Sequence, residues 1–221
     1  FAGGRQNASM YIPAEGRPPL YVRRSLSRAL DESGGSDSPH EVIKFPRTSE
    51  FKTIFNQSPA LQFGAIPYSF GQRFALMLNS TIDCTDLVYA QREIKTKWEI
   101  SIMDDAAKIQ SKMFEEVAEF GGEGKSELEL VAAAEKVSRS SGFGGNIQMR
   151  RFPLQCDRGV IVAGRSGGVP SFFDSAIGGT GPHPMSSMGS GFSKVKRNEP
   201  VLVDLVHVHR GYVVDATRMF V

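Results

Sequence analysis

The sequence has few of the residues that mark several common classes of protein. It contains only two cysteines, Cys84 and Cys156, which are far apart and lack the spacing of a zinc-binding motif. We therefore expect free thiols in a reducing compartment rather than a disulfide framework. No apolar run approaches the length of a transmembrane helix. A formal net charge of +2, without a block of lysines or arginines, gives no reason to expect nucleic acid or a membrane surface as a partner.

The most informative stretch is the last one, from Pro200 onward. Two apolar runs rich in β-branched residues, Val201 to Val208 and Tyr212 to Val221, flank the pair Arg210-Gly211. This pattern predicts a β-hairpin in which the glycine occupies a turn position with positive φ. If Arg210-Gly211 is a two-residue turn, His209 pairs with Tyr212.

Each run carries one carboxylate near its middle, Asp204 and Asp215. With the two-residue turn, Asp204 lies opposite Thr217 and Asp215 lies opposite Val206. Because strand side chains alternate between faces, Asp204, Asp215 and Thr217 then share one face. A shift of the turn by one residue on each side would keep both aspartates on that face. Only a three-residue loop or a bulge would separate them.

Two carboxylates in so apolar a hairpin need compensation. Strands of this kind are usually covered on both faces, so we expect Asp204 and Asp215 to be at least half buried, where like charges across strands repel. A raised pKa, an Arg or Lys partner, or a divalent cation could offset the repulsion. Arg218 is a candidate partner, but its parity directs it to the other face. A metal site and a hydrogen-bonded acidic pair both remain open, and we favour the metal.

The same residues carry a resemblance to a known family. Val203-Asp204, Gly211-Tyr212 and Asp215-Ala216-Thr217-Arg218 resemble the metal-binding hairpin of the pita-bread metallopeptidases, in the creatinase/prolidase/Xaa-Pro aminopeptidase branch. The resemblance extends over essentially the whole chain. It implies an α+β fold, with a small α/β creatinase-type N-terminal domain followed by a partial pita-bread catalytic domain. In that family a His and two Glu complete the ligand set later in the sequence, so we expect an internal fragment that is inactive by itself.

The resemblance also implies a function. It indicates a hydrolase, a metallopeptidase of the aminopeptidase P or prolidase type, that cleaves Xaa-Pro bonds in short peptides as a homodimer in the cytoplasm. In the complete enzyme Asp204 and Asp215 would hold two divalent ions, which we expect to be Mn, Co or Fe, with Zn also allowed. Thr217 would orient Asp215 without itself binding the metal. His183 would contact the substrate, and the catalytic residues are not identified.

Other interpretations compete with this one. A creatinase-like member would hydrolyse another C–N bond without metal, and a non-catalytic interaction module would keep the Asp pair for structure alone. His207 and His209 form a His-x-His pair, a spacing that can bind metal. Their parity, however, places them on the face opposite Asp204, where they would be edge or hairpin-tip residues.

Two domains are expected, residues 1–91 and 92–221. In the first, the residue pattern predicts short strands at Met10 to Ile12 and Leu20 to Val22, a helix capped by Ser25, a strand over Ala60 to Ile66 and a helix over Ser69 to Leu78.

In the second domain, apolar residues from Ile102 to Phe120 recur every three or four positions and predict a long amphipathic helix. Ser126 and Glu129 form a capping-box pattern for the next helix, which Gly142 would end. Met149 to Phe152 and Val160 to Ala163 are predicted strands.

Overall fold

The chain forms two compact units, Phe1–Ile94 and Lys95–Val221. They are seen in a computed structural model that describes residues 8–55, 58–145, 147–148, 155–156, 159–171 and 178–221. The division into family domains at residues 1–91 and 92–221 remains a prediction. Among the helices of these ranges, none has the length and apolar character needed to cross a membrane.

The first unit is built on a three-stranded sheet of order β1-β2-β3, formed by β1 (Ala8–Met10), β2 (Pro19–Val22) and β3 (Glu41–Lys44). β1 runs antiparallel and β3 parallel to β2, and helix α1 (Leu26–Glu32) makes the crossover. Ala29 of α1 packs on the buried side chains of Leu20, Val22 and Val42. The predicted strand at Leu20 to Val22 and the helix after Ser25 are confirmed, although the Ser25 side chain makes no capping hydrogen bond.

Aromatic rings cover the other face of this sheet. The ring of Tyr21 meets those of Phe45 and Phe55 at centroid distances of 6.3 and 5.7 Å. Phe51 and Phe74 extend the cluster from α2 (Phe51–Ile54) and α3 (Tyr68–Leu78), respectively. Helix α3 confirms the helix predicted over Ser69 to Leu78, and α4 (Thr85–Glu93) follows it.

The strand predicted over Ala60 to Ile66 is wrong. A short 3-10 helix, Phe63–Ala65, stands there instead. The cause is competition for backbone N–H groups by side chains further along the chain: Asp83 Oδ1 accepts from the N–H of Phe63 at 3.2 Å, and Thr85 Oγ1 accepts from the N–H of Gly64 at 2.8 Å. Side chains that capture backbone donors in this way favour turns over a strand ladder.

The second unit packs two helices on one face of a sheet. The helices are α5 (Lys97–Phe120) and α6 (Glu127–Ser140), and the sheet has the order β6-β7-β8, from β6 (Val160–Ala163), β7 (Val201–His209) and β8 (Tyr212–Phe220). Both neighbouring pairs are antiparallel. The core between the layers consists of Met113 and Val117 from α5, Leu130, Val131 and Ala134 from α6, and Ile161, Val203 and Leu205 from the sheet.

Both helices begin with a capping box. The predicted box of Ser126 and Glu129 is present, and a second, from Thr96 and Glu99, starts α5. The predicted apolar stripe of α5 is largely confirmed, except that Gln110 is buried in place of Ile109 and that Phe120 is exposed.

Two further short strands, β4 (Ile147–Gln148) and β5 (Gln155–Cys156), pair antiparallel. The strand predicted at Met149 to Phe152 lies outside the described residues. Cys84 is a free thiol, as predicted.

Candidate functional site

The turn between β7 and β8 fixes the register of the hairpin. Arg210 and Gly211 both have positive φ, 49° and 88°, which is the combination a two-residue type I′ turn requires. His209 therefore pairs with Tyr212, as predicted for this turn length. The glycine adopts its conformation at little steric cost, because it has no Cβ.

This register brings the two aspartates together. Asp204 pairs with Thr217, and Val206 pairs with Asp215, so the two carboxylates are diagonal neighbours on one face of the sheet. The negative charge of Asp204 therefore acts on Asp215 across this short diagonal. The pairing is the one the sequence predicts for a two-residue turn.

The opposite face of the hairpin is the core face. Val201, Val203, Leu205 and His207 are all buried beneath the helices. On the aspartate face, by contrast, Asp204 is half-buried and Asp215 is exposed. The expectation that both carboxylates would be at least half buried is therefore wrong for Asp215, because in the described residues the helices α5 and α6 cover the sheet only on its other face.

The acidic pair perturbs its own protonation. The pKa of Asp215 is raised, first by partial loss of hydration among its neighbours and then by the charge and hydrogen bond of Asp204. Asp215 is exposed, so its loss of hydration is limited. The nearby carboxylate of Asp204 is the cause of the raised pKa that the register shows directly. At neutral pH the pair thus carries an electrostatic strain that a proton or a cation would relieve.

Thr217 makes a different contact from the one expected. Its Oγ1 donates to Asp204 Oδ1 at 2.5 Å, whereas the resemblance assigned it to Asp215. The reason is the register, since Thr217 is the direct cross-strand partner of Asp204. Thr217 therefore orients Asp204.

Arg218 does not neutralise the pair. Arg218 follows the predicted parity: its guanidinium lies over the ring of Phe114 in α5, 5.2 Å from the centroid, and donates to the carbonyl of Thr217. Within the described ranges, neither aspartate forms an ion pair with a lysine or arginine. As far as the described residues go, a raised pKa and a divalent cation are the forms of compensation that remain.

The residues fit a divalent cation by their chemistry. Two adjacent carboxylates supply the oxygen ligands that hard and borderline divalent ions prefer. The described residues contain no cluster of three or more His, Cys, Asp or Glu side chains able to hold an ion. Asp204 and Asp215 by themselves therefore do not make a complete ligand set.

The His-x-His pair lies away from the aspartates. His207 is fully buried on the core face of the central strand, where its Nδ1 lies 2.8 Å from Ser138 Oγ of α6, so the expected edge or hairpin-tip position is wrong for His207. Burial, followed by the neighbouring His209, lowers the pKa of His207. As the parity predicts, the ring of His207 is directed away from the Asp204 face and packs with that of His209 at a centroid distance of 6.3 Å.

His183 lies in a glycine-rich loop, residues 178–191. Its side chain is exposed, and its Nδ1 accepts from the N–H of Met185 at 3.2 Å. The contact of His183 with a substrate, expected from the resemblance, stays a prediction.

Two polar residues were missed by the sequence analysis. Glu127 is buried at the start of α6, and both of its carboxylate oxygens accept backbone hydrogen bonds. Gln110 is buried in α5 and donates to the carbonyl of Leu205 at 2.6 Å. Neither position carries a distinguishing sequence signal, because each polar side chain is satisfied only by segments far away along the chain.

Comparison with solved structures defines the class of fold. The chain resembles an Xaa-Pro dipeptidase from Bacillus anthracis with a TM-score of 0.74 at 18% identity, over 98% of this chain and 55% of that chain. A prolidase from Pyrococcus furiosus gives 0.67 at 22% identity, over 92% and 56%. An X-Pro aminopeptidase from Thermotoga maritima gives 0.69 at 18% identity, over 93% and 53%. The fold is therefore that of the pita-bread prolidases, as predicted, and the chain spans just over half the length of these structures.

A comparison of the sequence with protein families identifies the family of the chain. Residues 101–221, more than half of the chain, match metallopeptidase family M24. The chain belongs to this family, and the matched segment contains Asp204, Asp215 and Thr217. A comparison with curated protein sequences finds no match.

Proposed function

We propose that the chain is the part of a metal-dependent peptidase that supplies Asp204 and Asp215 to a dinuclear metal centre, and that the enzyme cleaves Xaa-Pro bonds in short peptides. The observation that carries this proposal is the pair of adjacent carboxylates on one sheet face, with no arginine or lysine bound to them in the described residues. Family membership supports a metallopeptidase, and the solved structures of similar fold support the Xaa-Pro bond.

Each residue has a distinct part in the proposed site. Asp204 and Asp215 hold the ions, which we propose to be Mn, Co or Fe, with Zn also allowed. Thr217 fixes one oxygen of Asp204 through its hydrogen bond and so leaves the other free of that donor. When bound, divalent ions would polarise a peptide carbonyl and lower the pKa of a water molecule toward neutrality.

His183 is the proposed substrate contact. Its loop packs against Val160 and Val162 on the aspartate-bearing side of the sheet, and its exposed imidazole can reach a ligand. We also propose, from the resemblance alone, that the enzyme works as a homodimer.

A second candidate function follows from the closeness of the two aspartates on one face of the sheet. One shared proton can satisfy both carboxylates, as in other close carboxylate pairs. A non-catalytic or creatinase-like member, in which the pair has a structural role, would need no metal.

Activity measurements on the full-length protein separate these candidates. We expect Mn²⁺-dependent cleavage of Xaa-Pro dipeptides or longer Xaa-Pro peptides, abolished by a chelator and restored by added Mn²⁺. Asp204→Asn and Asp215→Asn should each lower kcat/KM by about 10²-fold or more. Asp104→Asn, which alters an exposed carboxylate of α5, is the matched control and should have no effect. Cleavage that persists after metal removal would contradict the proposal. So would cleavage that persists in the Asp204→Asn or Asp215→Asn variant.

A further inference from the structure

Glu127 is an unusual carboxylate, because it is fully buried and yet faces no cation among the described residues. Its Oε1 accepts from the N–H of Ala163 at 2.8 Å, and its Oε2 accepts from the N–H of Gly191 at 2.7 Å. Ala163 ends β6, and Gly191 ends the glycine-rich loop. One side chain therefore joins the start of α6 to both the sheet and the loop.

The backbone around Glu127 reinforces this junction. The N–H of Leu128 donates to the carbonyl of Gly191 at 3.2 Å, and that of Glu127 donates to Ser193 at 3.0 Å. The first turn of a helix has N–H groups without partners inside the helix, and here the segment after the loop supplies acceptors. The start of α6 thus holds the exit of the loop with three hydrogen bonds, and a fourth, from Ala163 to Glu127, ties the same helix end to β6.

The loop itself is tightly folded. The N–H of Gly181 donates to Gly189 at 3.0 Å, and that of Gly189 donates to Gly178 at 2.7 Å. A Cβ at Gly178 would lie 2.1 Å from the carbonyl oxygen of Val169, and one at Gly181 would lie 1.8 Å from that of Ser186. Since only glycine fits these approaches, the loop is closely packed, and its position depends on the contacts that anchor it.

The loop packs on the aspartate-bearing face. A Cβ at Gly179 would lie 3.0 Å from Val162 Cγ1, and one at Gly189 would lie 3.5 Å from Val160 Cγ2. Val160 pairs directly with Asp204, so the two side chains share a face of the sheet. The loop that carries His183 therefore lies along β6 on the same side as the acidic pair.

We propose that Glu127 is a positioning residue for this loop. By bonding Gly191 and Ala163 with its two oxygens, it fixes the loop, and with it His183, relative to the face that carries Asp204 and Asp215. A carboxylate is needed, because an amide in the same place would turn an N–H₂ group toward one of the two backbone donors. That the fixed loop sets substrate affinity rests on the proposed function.

The test uses the isosteric variant Glu127→Gln in the full-length protein, with Glu129→Gln as matched control. Glu129 stands at the same helix end but is exposed, and among the described residues its carboxylate accepts hydrogen bonds from Ser126 alone. In Glu127→Gln, amide hydrogen exchange at Gly191 and through residues 178–191 should rise by about tenfold or more, with α5 unaffected. The control should leave exchange in the loop at the wild-type rate.

Steady-state kinetics distinguish a positioning role of Glu127 from a purely structural one. For an Xaa-Pro dipeptide, Glu127→Gln should raise KM by about fivefold or more, because the loop is displaced from the substrate. A residue needed only for folding would lower the amount of active enzyme, and so kcat, at unchanged KM. Glu127→Asp, which keeps both acceptors but shortens the reach, should fall between the wild type and Glu127→Gln, and it replaces the amide variant if that one does not fold.

Two results would overturn the proposal. One is unchanged exchange in the loop, which would mean that Glu127 does not anchor it. The other is faster exchange with KM unchanged, which would mean that the anchored loop does not serve substrate binding. If the wild-type protein cleaves no Xaa-Pro peptide, the proposed function fails, while the exchange experiment still decides the anchoring.

Discussion

His207 and Ser138 meet inside the second unit, where Nδ1 of the imidazole lies 2.8 Å from the hydroxyl oxygen and joins β7 to α6. Both side chains are buried. The Nε2 atom of His207 has no hydrogen-bond partner among the described groups. The ring is surrounded by Phe143, whose centroid is 6.2 Å away, and by His209, so a charged imidazole would be poorly solvated.

This burial predicts a pH dependence of stability. The pKa of His207 is lowered by burial and by His209, so between the folded pKa and the ordinary value of about 6.5 the unfolded chain binds more protons than the native one. The stabilisation is complete above that ordinary value and is lost as pH falls through the window. The free energy of unfolding of the wild type, measured with urea, should therefore decline between about pH 7.5 and 5.5. We expect His207→Gln to reduce that decline by about 1 kcal/mol.

His209→Gln serves as the control for this experiment, because His209 is only half-buried. It should keep most of the wild-type decline. An equal decline in wild type and His207→Gln would exclude His207 as its source.

Gln110 allows a test of a buried polar contact. Its Nε2 donates to the carbonyl of Leu205 at 2.6 Å, which ties α5 to β7. Gln110→Leu keeps a similar volume but removes the donor, so we expect the free energy of unfolding to fall by about 1–2 kcal/mol. Ser111→Ala, at the exposed neighbouring position, should change it by less than about 0.5 kcal/mol. A Gln110→Leu variant as stable as the wild type would show that water or another donor replaces the amide.

The hairpin could be predicted in detail because its determinants are local. Alternation of apolar residues defines the strands, and Arg210-Gly211 defines the turn and hence the register. From these, the common face of Asp204, Asp215 and Thr217 follows by counting. The helix starting at Ser126 was predictable for the same reason, since a capping box lies within one turn.

The rest depends on contacts between distant segments. Glu127 is next to the capping box, and only the fold brings Ala163 and Gly191 to its carboxylate. The strand wrongly predicted over Ala60 to Ile66 is lost to side chains about 20 residues further along the chain, at Asp83 and Thr85. The exposure of Asp215 likewise depends on which face the helices cover.

The acidic pair predicts that removing one charge stabilises the metal-free protein. The pKa of Asp215 is raised, so between its ordinary value and the folded value the native state binds more protons, and stability falls as pH rises through that window. The penalty persists at neutral pH. Asp215→Asn should therefore raise the metal-free free energy of unfolding, by no more than about 1 kcal/mol because the exposed side chain is screened.

Chemical denaturation with and without Mn²⁺ checks this prediction. The same variant should lose the stabilisation that Mn²⁺ gives the full-length wild type, because binding to the native state alone is the source of that stabilisation. Asp104→Asn should behave as the wild type in both conditions. If Asp215→Asn instead lowers metal-free stability, the acidic pair holds the hairpin together, and the structural interpretation is favoured.

The number of available ligands predicts weak metal binding by these 221 residues alone. Asp204 and Asp215 are adjacent, but the described residues offer no group of three or more ligands. Because affinity rises with the number of charged ligands, we expect a Kd for Mn²⁺ of about 10⁻⁴ M or weaker in a calorimetric titration of this chain. The double variant Asp204→Asn/Asp215→Asn is the control and should abolish the remaining heat of binding. Tight binding that the double variant removes would mean that residues 1–221 already contain a complete site, and tight binding that survives it would place the metal elsewhere.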